Sequence, residues 1–346
     1  MKKTNLLVLC LFSLISFAQQ TETLYLSGTG LGNEKEWRFY CSEGMNSKKW
    51  SKIKVPSQWE IQGFGEYTYG RWYKAGLKNP SMEQGMYEYS FPVPAGWKNK
   101  QISIVFEGVM TDTEVKINGE SAGETHQGGF YRFSYDITPK LKIGAKNKLE
   151  VKVSKHSANK SVNGAERRAD WWLFGGIYRP VYLEAKPLVN IERIAVDAQA
   201  DGKLTTEIFT TPLPDHYILS TSIIPLKGNG QFSPQQTDLK GSTPSQTITT
   251  SWKGVSNWSP ETPNLYTLKL ELRNEKNEVV HAYTQRIGFR TVEFRRQDGI
   301  YVNGVKIVMK GTNRHSFSAD GGRTTNRAIS LQDVKLIKEM NMNAVR

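Results

Sequence analysis

The chain has 346 residues, two cysteines, five histidines and a formal net charge of +13. That length can bury a sizeable core without covalent staples and predicts two or three domains. The cysteine and histidine counts exclude a disulfide framework and a dense transition-metal site. Scattered lysines without a helix-turn-helix, RNP or zinc-finger pattern exclude a nucleic-acid partner.

The chain opens with Lys2 and Lys3, an apolar run over residues 6–17, and small residues at Ser16 and Ala18. This order predicts an export signal over residues 1–18, cleaved after Ala18, and hence a periplasmic or extracellular protein. The run is shorter than the roughly 20 residues a membrane span needs, and no later stretch is long enough. Cys10 sits inside the run, not at its end, which excludes a lipoprotein anchor. Loss of Lys2 and Lys3 takes +13 to +11 and leaves Cys41 as the single thiol. The remaining charge reads as solvated surface, which an anionic polysaccharide would also suit.

From about Trp37 to Pro187 short apolar or alternating segments, 89–93, 102–106, 114–117, 149–153 and 181–184, read as strands. Asn118-Gly119 suits a two-residue hairpin turn, because both residues tolerate positive φ. No helical period is evident here, and the pattern predicts a jelly roll over residues 19–187. Segments 191–196, 204–209, 217–224, 246–252, 265–272 and 279–286 follow, with a loop-rich stretch over 212–245. About seven strands in roughly 100 residues predict an immunoglobulin-like sandwich over 188–290.

The pattern then changes. Residues 300–302, the turn Asn303-Gly304 and residues 305–309 read as a hairpin whose second strand runs inward. Ser330-Leu331-Gln332-Asp333 reads as a helix start, continued by Val334, Ile337 and Met340 at helical spacing. Residues 343–346 open another strand. This is one βαβ unit, assigned to residues 291–346. A (β/α)₈ barrel needs about 250 residues, so a truncated barrel is expected.

Gly28-Thr29-Gly30 lacks the third glycine of a dinucleotide fingerprint, since position 33 is Asn. There is no P-loop, nucleophile elbow or His-Glu-x-x-His pair, so no nucleotide, nicotinamide or zinc cofactor is implied.

Several motifs resemble family 2 of the glycoside hydrolases, the β-galactosidase and β-glucuronidase type. Val55-Pro56-Ser57-Gln58-Trp59 with Gly63-Phe64-Gly65 resembles the opening of that family's sugar-binding domain. Phe106-Glu107-Gly108-Val109 with Val115-Lys116-Ile117-Asn118-Gly119, and then Asp170-Trp171-Trp172-Leu173-Phe174-Gly175-Gly176-Ile177-Tyr178-Arg179-Pro180-Val181, resemble its next signatures. Trp258-Ser259-Pro260 with Pro263-Asn264-Leu265-Tyr266 is similar to the immunoglobulin-like domain. Gly311-Thr312-Asn313-Arg314-His315 and Asn343-Ala344-Val345-Arg346 resemble the first two barrel strands.

The resemblance implies a retaining hydrolase of terminal β-glycosidic bonds, with β-galactosides as substrate, acting on an oligosaccharide or polysaccharide as a homo-oligomer. Its acid/base and nucleophile glutamates belong to later barrel strands, so no catalytic glutamate is assigned in this chain. Glu166 and Asp170 are close in sequence but sit in one loop-like segment and are not promoted to that pair. By the resemblance His315 and Asn313 line the sugar site, and Arg346 supports the nucleophile carboxylate, whose ionised form a neighbouring cation favours. Asp170 resembles an aspartate that reaches sugar hydroxyls and, in some members, a sodium ion. The complete enzyme would accommodate Na⁺ or Mg²⁺. Trp171 and Trp172 can stack on a sugar ring, burial in the sandwich core being the alternative.

Tyr67-Thr68-Tyr69-Gly70-Arg71-Trp72 lacks an asparagine that contacts galactose in some relatives, and Arg71 leaves room for an acidic or sulfated sugar. The rival reading is a secreted, non-catalytic carbohydrate-binding sandwich, whose binding would survive deletion of residues 291–346.

Overall fold

The computed structural model describes residues 20–71, 82–168, 171–214, 216–241, 243 and 245–346. Residues 1–18, Trp72 and Asp170 lie outside them. The described chain groups into two compact units. One comprises Val189–Trp258 and Pro263–Arg290, with Gln20; the other comprises Thr21–Leu188, Ser259–Thr262 and Thr291–Arg346.

The larger unit contains a sandwich of antiparallel sheets. The six-stranded sheet runs in the order Trp50–Val55, Lys35–Cys41, Gln84–Pro92, Lys146–Ser154, Asp112–Ile117, Glu120–Ser121. The four-stranded sheet runs Glu22–Tyr25, Val181–Pro187, Lys100–Phe106, Phe133–Asp136. Alternation places Leu149, Val151 and Val153 in the core with Phe39, Ile104 and Leu183, all nearly without solvent exposure. Asn118 and Gly119 take positive φ (54° and 89°), as the hairpin turn requires. Four of these strands, Glu22–Tyr25, Lys35–Cys41, Trp50–Val55 and Phe133–Asp136, carry so many polar residues that their sequences do not announce them.

The absence of a helix is corrected. Lys160–Glu166 forms a short α-helix capped by Asn159, whose side chain accepts the Ser161 N–H at 2.9 Å. At seven residues it is too short to display a hydrophobic period. Glu166 therefore ends a helix instead of sitting in a loop. It is buried, and its carboxylate accepts the Gly129 N–H at 2.8 Å.

The smaller unit is an immunoglobulin-like sandwich. One sheet contains Ile191–Ala198, Lys203–Thr210 and Ser245–Ser251. The other contains Gln235–Leu239, Tyr217–Pro225, Tyr266–Arg273 and Val279–Ile287. The strand Gln235–Leu239 lies inside the stretch expected to be loop. Its pairing with Tyr217–Thr221 overrides a composition poor in strand formers.

Residues 291–346 begin with a three-stranded antiparallel meander, Val292–Arg295, Gly299–Val302 and Val305–Ile307. The second hairpin strand does not run inward: Val305, Val308 and Met309 are 64%, 66% and 61% exposed. The βαβ unit consists of Gly311–Thr312, the helix Arg327–Glu339 and the parallel partner Ala344–Val345. Its helix starts three residues before the expected Ser330, because Asn326 is the cap and accepts the Ile329 N–H at 2.9 Å.

A single side chain organises the sandwich edge. Trp59 is wholly buried, and a Cβ added at Gly175, Gly85 or Gly65 would lie 2.0, 2.6 or 2.9 Å from its indole. Gly175→Ala is therefore expected to destabilise the protein by about 1–3 kcal/mol, the usual cost of overpacking a core. Gly96→Ala, with open space around it, is the control. Urea denaturation reads both, and equal midpoints for the two variants would disprove the clamp.

Candidate functional site

After the Val55–Pro56 step the chain turns through a 3₁₀ helix, Trp59–Gln62, closed by Gly63 at φ 81°. Three consecutive residues here face three different partners. The buried Gln58 accepts the Arg323 N–H at 2.7 Å, tying the loop after the first barrel strand to the jelly roll. Trp59 fills the glycine clamp. Glu60, also buried, accepts the Gly175 N–H at 3.0 and 3.1 Å and meets Lys155 Nζ at 2.9 Å.

Lys155 is buried as well. It donates to the Glu66 carbonyl at 2.5 Å and lies 3.5 Å from Glu83. Glu83 in turn accepts the Glu66 N–H. Two carboxylates and one ammonium thus join the segments around Glu66 and Gly175. Removing charges from water is costly, and the attraction between them returns that cost only when hydrogen bonds complete the geometry. Backbone N–H groups serve Glu60 and one oxygen of Glu83, while Glu83 Oε2 has no hydrogen-bond partner among the described residues, so the triad works as a positional clamp and not as a source of net stability.

The clamped segments carry the aromatic wall. Trp172 pairs with Tyr69 and Leu173 with Thr68 in a short antiparallel ladder, and the Gly70 N–H donates to the Trp171 carbonyl at 2.7 Å. Trp172 stacks on Phe317 at 5.5 Å and meets Tyr69 edge-on at 5.4 Å. Phe174 stacks on Phe317 at 5.8 Å. Neither tryptophan joins the sandwich core: Trp171 is half-buried and Trp172 is exposed. An exposed row of Tyr67, Tyr69, Trp172 and Phe317 results.

His315 reaches this wall, with its ring 6.2 Å from that of Trp171. The strand pair continues past its last ladder residues: the Arg346 N–H donates to the Thr312 carbonyl at 3.0 Å, and the Arg314 N–H donates to the Arg346 carbonyl at 2.9 Å. Arg346 is thereby held opposite Asn313. All three of Asn313, His315 and Arg346 are exposed. Arg314 is anchored to Asp333 and to Ser316 Oγ (2.8 Å), which fixes the loop bearing His315. Arg71 is exposed, one residue beyond the Gly70–Trp171 bond.

Sequence reading missed the groups that hold the wall. Lys155 did leave a signal. Leu149, Val151 and Val153 are inward, and the same parity carries Lys155 inward. Arg323 lies over the rings of Phe130 (5.2 Å) and Trp171 (5.4 Å), adding a cation to the site. The buried Arg167 donates to the Phe174 carbonyl at 3.0 Å, while its Nε and Nη2 have no partner among the described residues. Burial pushes its pKa down to about 10.

Among the described residues no group of three or more His, Cys, Asp or Glu converges on one point. Glu60 and Glu166 are committed to protein hydrogen bonds. Asp170, the residue expected to hold Na⁺, lies outside the described residues.

Three consecutive models of glycosyl hydrolases family 2 match the chain: the sugar binding domain over residues 33–187, a second family 2 domain over 189–290 and the TIM barrel domain over 292–346. A beta-galactosidase of Priestia megaterium (strain DSM 319 / IMG 1521) is 31% identical over 331 residues, covering 89% of this chain and 31% of that protein. One from Halalkalibacterium halodurans is 31% identical over 330 residues, covering 91% and 32%. A solved beta-glycosidase of Bacteroides vulgatus aligns with TM-score 0.72 and 28% identity, over 94% of this chain and 41% of its own. The Bacteroides uniformis beta-glucuronidase shares the fold, with TM-score 0.73 and 24% identity over 94% and 39%. The chain spans about a third of the length of the curated relatives it matches.

Two buried groups beside the clamp give a test by pH. Burial pushes the Glu60 carboxyl up from 4.5 to about 7. Burial, then Arg167 and Lys155, pushes His156 down from 6.5 to about 4. The folded protein holds the Glu60 proton after the unfolded chain has lost it, so this group's contribution falls as pH rises from about 4.5 to about 7. At His156 the unfolded chain takes the proton first, so its contribution falls as pH drops from about 6.5 to about 4. The two slopes oppose each other. In thermal melts across this range, the midpoint of Glu60→Gln relative to the unmodified protein should climb with pH, while that of His156→Gln should decline. Parallel curves for all three proteins would refute the assignment.

Proposed function

The chain belongs to glycoside hydrolase family 2, and from that premise we propose that the complete protein is an exported hydrolase of terminal β-glycosidic bonds, with β-galactosides as its substrates. The observation that carries this reading is the convergence of His315 with Trp171, next to the strand pair that sets Arg346 opposite Asn313. Strand ends of a barrel are where its active sites form. The aromatic wall offers apolar surface to the C–H face of a sugar, and the polar side chains offer hydrogen bonds to its hydroxyls.

The reaction is a double displacement. One carboxylate attacks the anomeric carbon as the leaving group takes a proton from a second carboxyl, and water then releases the sugar with its configuration retained. Both carboxyls would stand about 5 Å apart, in barrel strands that follow Arg346. In this chain His315 would stabilise charge developing on the sugar, Arg346 would keep the nucleophile ionised, and Asp170 would bind sugar hydroxyls. The beta-galactosidases at 31% identity support the substrate.

A second reading, an acidic sugar, is favoured by Arg323 at Trp171. Paired assays on aryl β-galactoside and aryl β-glucuronide decide between them.

In the complete enzyme, His315→Ala should lower kcat/KM on an aryl β-galactoside by about 10²-fold or more, the scale of losing one charge-stabilising contact. NMR of the first-formed sugar should show the retained anomer. An inverted product, or a variant within twofold of the parent, would sink the proposal.

A further inference from the structure

The sequence holds four Asn-Gly pairs, at Asn118, Asn163, Asn229 and Asn303. Asparagine is chemically labile, and most so before glycine, because a following residue without a side chain leaves its amide nitrogen open to attack. The folded chain treats the four pairs differently.

Three of them are held. Asn118 Nδ2 donates to the Lys140 carbonyl and to Asn147 Oδ1, both at 2.8 Å, while its Oδ1 accepts the Lys148 N–H at 3.0 Å. Asn163 lies inside the helix Lys160–Glu166. Its Oδ1 accepts the Ser157 N–H at 2.9 Å, and its Nδ2 donates to the Ser157 carbonyl at 2.6 Å. Asn303 turns a hairpin at φ 51° and accepts the Thr291 N–H at 2.9 Å. Each side-chain amide is turned to another segment and must leave its bonds before it can meet the next backbone nitrogen.

Asn229 is not held. It lies in the loop between the strands Tyr217–Pro225 and Gln235–Leu239 and is exposed. Neither its side chain nor the Gly230 N–H has a hydrogen-bond partner among the described residues. Glycine stands on both sides. Gly228 has φ 85° and nothing within 4 Å of the place its Cβ would take, so the backbone about residue 229 turns freely. The loop borders a cavity of about 400 Å³ lined by Pro225, Lys227, Gly230, Phe232 and Tyr266 among others.

We propose that Asn229 is a site of spontaneous deamidation. The Gly230 nitrogen, having given its proton to hydroxide, attacks Asn229 Cγ. A C–N bond forms, the Cγ–Nδ2 bond breaks and ammonia leaves. Water then opens the resulting succinimide at either carbonyl, giving aspartate or isoaspartate. The product adds a carboxylate two positions from Lys227. The isoaspartate form also routes the backbone through the former side chain, so the rim of the cavity changes with the age of the molecule.

Peptide mapping by tandem mass spectrometry tests this, on the full chain incubated at mildly alkaline pH in buffer and in denaturing urea. In buffer Asn229 should convert about tenfold or more faster than Asn118, Asn163 or Asn303, because those three react only through local opening. In urea the four rates should converge. An acidic band should grow on isoelectric focusing of the folded protein. Asn229→Gln should suppress it by enlarging the ring to be closed, and Gly230→Ala by shielding the nitrogen. Faster conversion at any of the other three sites in buffer, rates as widely spread in urea as in buffer, or an undiminished acidic band in Asn229→Gln would overturn the proposal.

Discussion

The burial of Trp59 and Glu60 is the constraint on which the sandwich edge depends. The indole needs three positions without a Cβ, at Gly65, Gly85 and Gly175, and the carboxylate needs the Gly175 N–H and Lys155. These demands meet at Gly175, which contributes close approach to one residue and a hydrogen bond to the next. A buried ion triad is poor evidence of net stability, since burying each ion costs several kcal/mol before pairing returns it. Its consequence is geometric. It fixes the backbone at Glu66 and Gly175, and everything exposed on the wall, from Tyr67 to Trp172, hangs from those two points.

The motifs legible in the sequence gain physical meaning from this arrangement. Gln58-Trp59 is followed by Glu60 because three successive side chains must reach the barrel loop, the glycine clamp and the triad. Gly175-Gly176 combines a close approach to Trp59 with a φ of 110° at Gly176. Periodicity found the strands whose inward positions are aliphatic, such as Lys146–Ser154 and Val181–Pro187. It missed Lys35–Cys41 and Trp50–Val55, where aromatic and charged residues alternate on a two-sided sheet and polar composition outweighs pattern. The helix Lys160–Glu166 was invisible because two turns cannot show a period.

The candidate site was legible only where a resemblance named it. Asn313, His315, Arg346, Trp171 and Trp172 converge on one wall and its adjoining strand pair, but no spacing in the sequence predicts that meeting. Trp171 and His315 are 144 positions apart (315 − 171), and the contact forms because Gln58 and Arg323 tie the loop to the jelly roll. The holding groups Lys155 and Glu83 carry ordinary surface residue types. Parity was the one available clue for Lys155, and an inward lysine is discounted by default because charged side chains are almost never fully buried unless paired.

The wall at the sandwich edge is set beside a cation: Trp171 lies under Arg323 and near His315. A site proposed to stabilise charge developing on a sugar needs such a field nearby, because preorganised dipoles and ions act there without further reorganisation. The glycine clamp and the loop bond from Gln58 to Arg323 are what bring that field to the wall, since they fix the two segments that carry it.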